Sequence, residues 1–216
     1  MINGTIKHII WDWNGTLLND VILCRDVMNN LLKRFNLPLL TTERYREIFT
    51  FPVSDYYIKA GIDFNKESFE VLGKDFMEMY EERKYECDLY AGVKEGLDYF
   101  GNNNITHSIL SAYHHKTLTE IIDHFKITDY FEKVAGLDNI YAGGKLAIGM
   151  KLIQDLPYKK EETVLIGDTI HDKEVADALG INAIIISDGH QDEVRLKQLN
   201  VPVYNNFKSF LLSNNK

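Results

Sequence analysis

Cysteine is nearly absent from this chain of 216 residues. The only two, Cys24 and Cys87, have no metal-ligand spacing, which excludes a disulfide-stapled or zinc-bound module and leaves two reduced thiols used for packing. No apolar run approaches the roughly 20 residues that a membrane-spanning helix needs. The first residues have neither the pattern of a secretory signal nor that of an Arg-rich transit peptide, so a cytoplasmic protein is expected. Positive charge is in deficit: 24 basic against 32 acidic side chains give a net charge of −8, a surface that repels nucleic acid and anionic membrane and suits neither as a partner. A small charged substrate stays compatible with this balance where a site concentrates cations locally. Internal repeats and low-complexity segments are missing too. What is there is a chain 45% apolar and 12% aromatic, enough to exclude disorder and to build either one large domain or a core with a smaller insert.

The chain is organised around its first apolar run, Ile6-Lys7-His8-Ile9-Ile10-Trp11, closed by Asp12-Trp13-Asn14-Gly15-Thr16-Leu17. β-Branched and aromatic residues ending in an acid and a Gly-Thr pair predict a buried strand with a carboxylate at its C-terminal tip. Tips of parallel strands are where open α/β sheets place ligands, so Asp12 is either a site residue or an acid that starts a turn.

From 19 to 88 the pattern is helical. Asn19 or Asp20 serves as a helix cap, and Ile22, Leu23, Val27, Leu31, Leu32 and Phe35 recur at helical spacing. A second helix follows Thr42, a third starts at Ser54 or Asp55, and a long charged one is expected over 65–85; nothing in this stretch reads as a strand. Phe49, Phe51, Tyr56 and Tyr57 gather around Pro52 as an aromatic rim or an apolar core, and Arg44 and Arg46 are either anion ligands or a solvated face. Beyond residue 90 the pattern alternates. Strands are expected at 105–110, 131–135, 163–166 and 182–186, with an edge strand at 202–204, and helices between them. Such alternation predicts an α/β fold with a doubly wound parallel sheet.

Several ends of these elements are polar at once. Asp12 and Asn14 close the first strand, Ser111 and Ala112 the second, Gly143-Gly144-Lys145 opens a helix, and Gly167-Asp168-Thr169-Ile170-His171-Asp172 follows a later strand. Parallel strands deliver all of these to one sheet edge. Carboxylates gathered there repel one another unless a cation sits between them, and Mg²⁺ is the oxygen-seeking divalent ion that suits a phosphate ligand. A hydroxyl at Ser111 and an ammonium at Lys145 then suit phosphoryl oxygens.

These motifs resemble those of the haloacid dehalogenase superfamily, in its phosphatase branch with an all-helical cap, phosphoglycolate phosphatase-like proteins among them. The first motif, Asp-x-Asp-x-Thr, is matched by Asp12-Trp13-Asn14-Gly15-Thr16 except at Asn14; Ser111, Lys145, and Asp168 with Asp172 match the other three. The resemblance implies a Rossmann-like core of 1–17 and 89–216 with a cap over 18–88. It also implies a Mg²⁺-dependent hydrolase of a small phosphorylated metabolite. In that scheme Asp12 is the nucleophile, Ser111, Ala112 and Lys145 hold the phosphoryl group, and Asp12, the Asn14 carbonyl, Asp168 and Asp172 bind the metal. In the family the residue at position 14 is the acid that protonates the leaving group, which an amide cannot do. Three readings stay open. The substrate carries a good leaving group; or His171, His114 or His115 supplies the proton; or the site binds phosphate without turnover. Carbon–phosphorus or carbon–halogen cleavage is a further alternative within the family.

Overall fold

The computed structural model describes residues 2, 4–138 and 144–214. All four residues of β1 (His8–Trp11) are buried, because this strand lies inside a parallel sheet with β4 (Thr106–His114) on one side and β6 (Thr163–Gly167) on the other. β5 (Phe131–Leu137) extends the sheet beyond β4, and β7 (Asn182–Ile186) and β8 (Val203–Tyr204) extend it beyond β6, giving the order β5-β4-β1-β6-β7-β8. Ile9 and Trp11 enter one apolar cluster and Ile10 the other, as the period of two along a strand requires of a sheet covered on both faces. The α/β, doubly wound expectation is met.

Helices α1 (Val21–Arg34), α2 (Thr42–Ile48), α3 (Val53–Lys59) and α4 (Phe69–Arg83) lie between β2 (Leu18–Asn19) and β3 (Asp88–Leu89). β2 and β3 pair antiparallel at the two ends of this helical insert, so the expectation of a strand-free stretch over 19–88 fails at both its margins. Only two residues form each of these strands, too few for a periodicity to register. In α1, Val27, Met28, Leu31 and Leu32 are buried whereas Ile22, expected on the apolar face, is about half exposed at 49%. α4 starts later than expected because the Ser68 hydroxyl accepts from Val71 N and caps it there. The remaining helices, α5 (Val93–Asn102), α6 (His115–His124), α7 (Gly144–Asp155), α8 (Ile170–Leu179), α9 (Glu193–Leu196) and α10 (Phe207–Asn214), follow the alternating half of the chain. Among the described residues no helix is long and apolar enough to cross a membrane.

Two histidines are built into the core as neutral rings. His107 Nε2 donates to Leu97 O (3.2 Å) while its Nδ1 accepts from the Trp11 indole N–H (3.2 Å), so a second ring proton would face a donor. His8, fully buried, stacks on Tyr158 at 4.7 Å and has its Nδ1 2.6 Å from Thr106 Oγ1. Burial, then the neighbouring His107, lowers the His8 pKa to about 3, and burial lowers that of His107 to about 4. Folded pKa values below the unfolded value of about 6.5 mean stability that is complete above that pH and lost on acidification. At pH 5.5 the two together cost about 3 kcal/mol relative to pH 7.5. Urea midpoints at the two pH values should show this loss, and the double variant His8→Asn/His107→Gln should be less pH-dependent by that amount; an unchanged pH dependence would contradict it.

Candidate active site

Asp12 follows β1 directly, and its N–H donates to Ile166 O of β6 at 2.8 Å, which continues the ladder by one residue and sends the carboxylate out at the strand tip. Asp168 directly follows β6, its N–H turned to the Asp172 carboxylate. Thr16 Oγ1 lies 3.4 Å from Asp12 Oδ2 and 3.3 Å from Asp168 Oδ1 and bridges the two acids. The turn between them needs Gly15: its φ is +75°, and a Cβ there would collide with the Asp168 carboxylate and the His190 ring.

Lys145 stands in the first turn of α7, with Nζ 2.5 Å from both Asp12 Oδ1 and Asp172 Oδ1. Asp172 stands in the first turn of α8, where its Oδ2 accepts from Asp168 N (3.2 Å), Thr169 N (3.0 Å) and Thr169 Oγ1 (2.7 Å). A carboxylate at a helix N-terminus is favoured by the exposed N–H groups. Gly143, part of the expected helix-opening triplet, lies outside the described residues. Ser111 Oγ accepts from Tyr113 N (3.1 Å) and retains its own proton to donate. Ser111 does not end a strand as expected: β4 runs on to His114 through a register shift between Leu110 and His114. Ala112 is exposed. The acids and Lys145 are almost sealed from solvent, Asp12 keeping 7% of its surface and Asp168 none.

The electrostatics follow from that burial. Burial drives the Asp12 carboxyl up, to about 6, against the pull of Lys145, whose charge is shared with Asp172. Asp172 is pulled below the usual range because Lys145 and the Thr169 donors outweigh its burial. Asp168 is pushed up to about 8 by burial and by Asp12 and Asp172, with His190 opposing. Among the described residues four buried carboxylates (Asp12, Asp20, Asp168, Asp172) thus face two buried cations, Lys145 and His190. Carboxylate oxygens of Asp12, Asp168 and Asp172 lie within 4.8 Å of one another, a donor set of hard oxygens that fits a divalent cation such as Mg²⁺. Such an ion would balance the excess negative charge.

Asn14 is half-buried, and its amide is engaged: Nδ2 donates to Asp20 Oδ2 (2.8 Å) and to the Tyr80 hydroxyl (2.9 Å). His114 and His115 are both exposed. His171 rests its ring on Phe51 at 4.7 Å, with Nδ1 3.4 Å from Glu174 at the surface. His190 enters the site; with Gln191 it lies beyond the 182–186 strand, near the edge where the strand-tip acids are expected, and nothing in the sequence assigns it a chemical role. Its backbone N–H donates to Asp168 Oδ2 (2.6 Å), its Nε2 faces Asp20 Oδ1 (3.2 Å) and its Nδ1 lies 2.8 Å from the Tyr45 hydroxyl. Burial opposes a charge on this ring, yet Asp20 and then Asp168 prevail and raise its pKa to about 9. Its place follows from the sheet itself, since residues following β7 emerge at the same edge as Asp12; its partners Asp20 and Tyr45 do not.

The insert meets the core around His190. Arg46, half-buried, donates to the carbonyls of Gly189 (2.8 Å) and Asp188 (2.6 Å) and lies 3.5 Å from the Asp188 carboxylate. In return Arg195 donates to the carbonyls of Phe49 (2.8 Å) and Glu47 (3.1 Å), and Gln191 to Phe49 O (3.2 Å). The aromatic group of the insert divides: Tyr56 and Tyr57 are core, whereas Phe49 and Phe51 pack on His190 and His171. Arg44 pairs with Glu47 on the surface.

A family profile described as "Haloacid dehalogenase-like hydrolase" matches residues 9–186. No curated protein matches the chain. Among solved structures, a haloacid dehalogenase-like family hydrolase from Streptococcus pneumoniae is 17% identical and superposes with a TM-score of 0.84, over 98% of this chain and 100% of that one. A predicted phosphatase from Clostridium acetobutylicum (15% identity, TM-score 0.81) covers 97% of this chain and 98% of its own. A predicted phosphoglycolate phosphatase from Haemophilus somnus (19% identity, TM-score 0.77) covers 99% of this chain and 100% of its own. At such identities these structures speak for the fold.

Proposed function

Because the chain belongs to the haloacid dehalogenase-like hydrolase family, we propose that it is a Mg²⁺-dependent phosphohydrolase that acts through an aspartyl phosphate at Asp12. Its substrate is a small phosphorylated metabolite whose leaving group departs without a proton. The observation that carries this reading is the strand-tip cluster in which Lys145 bridges Asp12 and Asp172 at 2.5 Å beside Asp168.

Asp12 attacks phosphorus, the bond to the leaving oxygen breaks with its electron pair going to that oxygen, and water later attacks phosphorus to free phosphate and restore the carboxylate. Lys145 and the Ser111 hydroxyl hold phosphoryl oxygens, with the Ala112 N–H beside them. Lys145 also steadies Asp12 in its ionised form, and Asp172 orients Lys145. The metal would be held by Asp12, the Asn14 carbonyl and Asp168, with Asp172 binding directly or through water, and would supply positive charge against the phosphoryl oxygens. Closure of the insert excludes water from the first step. The Asn14 amide, occupied by Asp20 and Tyr80, gives no proton to a leaving alcohol. Removing a general acid typically costs about 10²–10⁴-fold on poor leaving groups, which restricts efficient turnover to acyl and aryl phosphates and anhydrides.

Phosphate release from acetyl phosphate, an aryl phosphate and an alkyl phosphate tests this. The first two should turn over, the alkyl ester should be slower by at least about 10²-fold, and a chelator should stop all three. Folded protein with Mg²⁺ that releases phosphate from none of them would overturn the proposal and favour a phosphate-binding module.

A further inference from the structure

Asp20 is fully buried and stands at the N-cap position of α1, yet its side chain caps nothing there. Both of its oxygens are taken by other donors. Oδ1 accepts from Gly15 N–H (3.0 Å) and faces His190 Nε2 (3.2 Å). Oδ2 accepts from Asn14 Nδ2 (2.8 Å), the Tyr80 hydroxyl (2.9 Å) and Cys24 Sγ (3.5 Å). These donors come from the loop that carries Asp12, from α1 and α4 of the insert, and from the segment after β7. A single carboxylate therefore joins four pieces of chain. Through His190, whose N–H holds Asp168, it also reaches the acid on the neighbouring strand.

The identity of residue 14 follows from this arrangement. An acid there would set an oxygen, in place of an N–H, against Asp20 Oδ2, and the single Tyr80 hydroxyl proton, 2.9 Å from Asp20 Oδ2, would have to serve two carboxylates. We propose that Asp20 is a positioning residue for the 12–16 loop, and that Asn14 is an amide because Asp20 is an acid. The pocket takes one carboxylate and one amide at these two positions, and position 20 holds the acid. The usual family acid is not simply missing from position 14, and putting it back alone breaks the loop. The kinetic arm of this proposal rests on the phosphohydrolase reading; its stability arm does not.

The test is a four-membered cycle of the parent, Asn14→Asp, Asp20→Asn and the exchanged double variant, followed by urea unfolding and by Mg²⁺-dependent turnover of an aryl phosphate. Each single variant should unfold at lower urea and lose about tenfold or more in kcat with KM within about twofold, the mark of a misplaced loop rather than lost substrate affinity. The exchanged variant should regain the parental midpoint and at least about tenfold in kcat over Asn14→Asp. If Asn14→Asp does not fold, recovery of folded protein on exchange supports the proposal, and failure of both overturns it. Asn14→Asp matching or exceeding the parent in stability and rate overturns it, as does a double variant whose losses are the product of the two single ones. A parent that releases no phosphate defeats the phosphohydrolase reading alone, and the unfolding cycle then decides the Asp20 proposal.

Discussion

Asp12→Asn is expected to stop the proposed phosphate release, with a loss on the order of 10⁴–10⁶-fold, the scale seen when a covalent nucleophile is removed. The amide is nearly isosteric but cannot form the aspartyl phosphate. The fold tolerates the change, because Lys145 keeps its contact with Asp172 and one of the crowded carboxylates is gone. The sign follows from the shift at Asp12. Its folded pKa, about 6, lies above that of an unfolded Asp, so it favours folding at low pH and this contribution is lost as pH rises through 6. At pH 8 without metal, the thermal midpoint of Asp12→Asn should therefore equal or exceed that of the parent. Single-turnover measurements should find phosphoprotein in the parent and none in the variant. Turnover within tenfold of the parent would place the nucleophile elsewhere.

Lys145→Met acts on stability and rate together. The thioether fills much of the aliphatic space but leaves Asp12 and Asp172, both buried, without the cation that lies 2.5 Å from each. Breaking a buried ion pair from one side costs roughly 3–5 kcal/mol, because the remaining charge keeps its desolvation and loses its partner. Urea unfolding at pH 8 should show a loss of that size. The gap should narrow as pH falls through 6 and Asp12 takes up a proton, and it should narrow with added Mg²⁺ if the cation binds among these acids. A loss below about 1 kcal/mol at pH 8 would mean that Lys145 is not the ion that holds this cluster together.

The residues that could be read in advance share one property: their place is set by local pattern plus the direction of a parallel sheet. Asp12 and Asp168 follow apolar strands, so both had to emerge at one edge, and Lys145 and Asp172 occupy first turns of helices that begin at that edge. The 182–186 strand was legible to the residue because three isoleucines end it and a Gly precedes it. The place of His190 beyond the last strand was legible, but its role, those of Tyr45 and Tyr80, and the true role of Asp20 were not. Asp20 sits before an amphipathic run, where a cap is the local expectation, and nothing nearby in sequence announces that Tyr80 and His190 will surround it. Arg46 likewise looks like any charged residue on a short helix until the carbonyls of Asp188 and Gly189 stand before it.

By itself, then, the sequence determined the sheet, the helical insert and the strand-tip acids, because these depend on periodicity and on the order of elements, while the departure at Asn14 became visible only through the resemblance to the family's first motif. Only the tertiary structure decided why position 14 is an amide. Asp20 has two buried oxygens that must both find donors, and the donors that meet them lie six residues away at Asn14, sixty away at Tyr80 and, far along the chain after β7, at His190. Satisfying a buried charge is a requirement on the whole fold, and no local pattern encodes it.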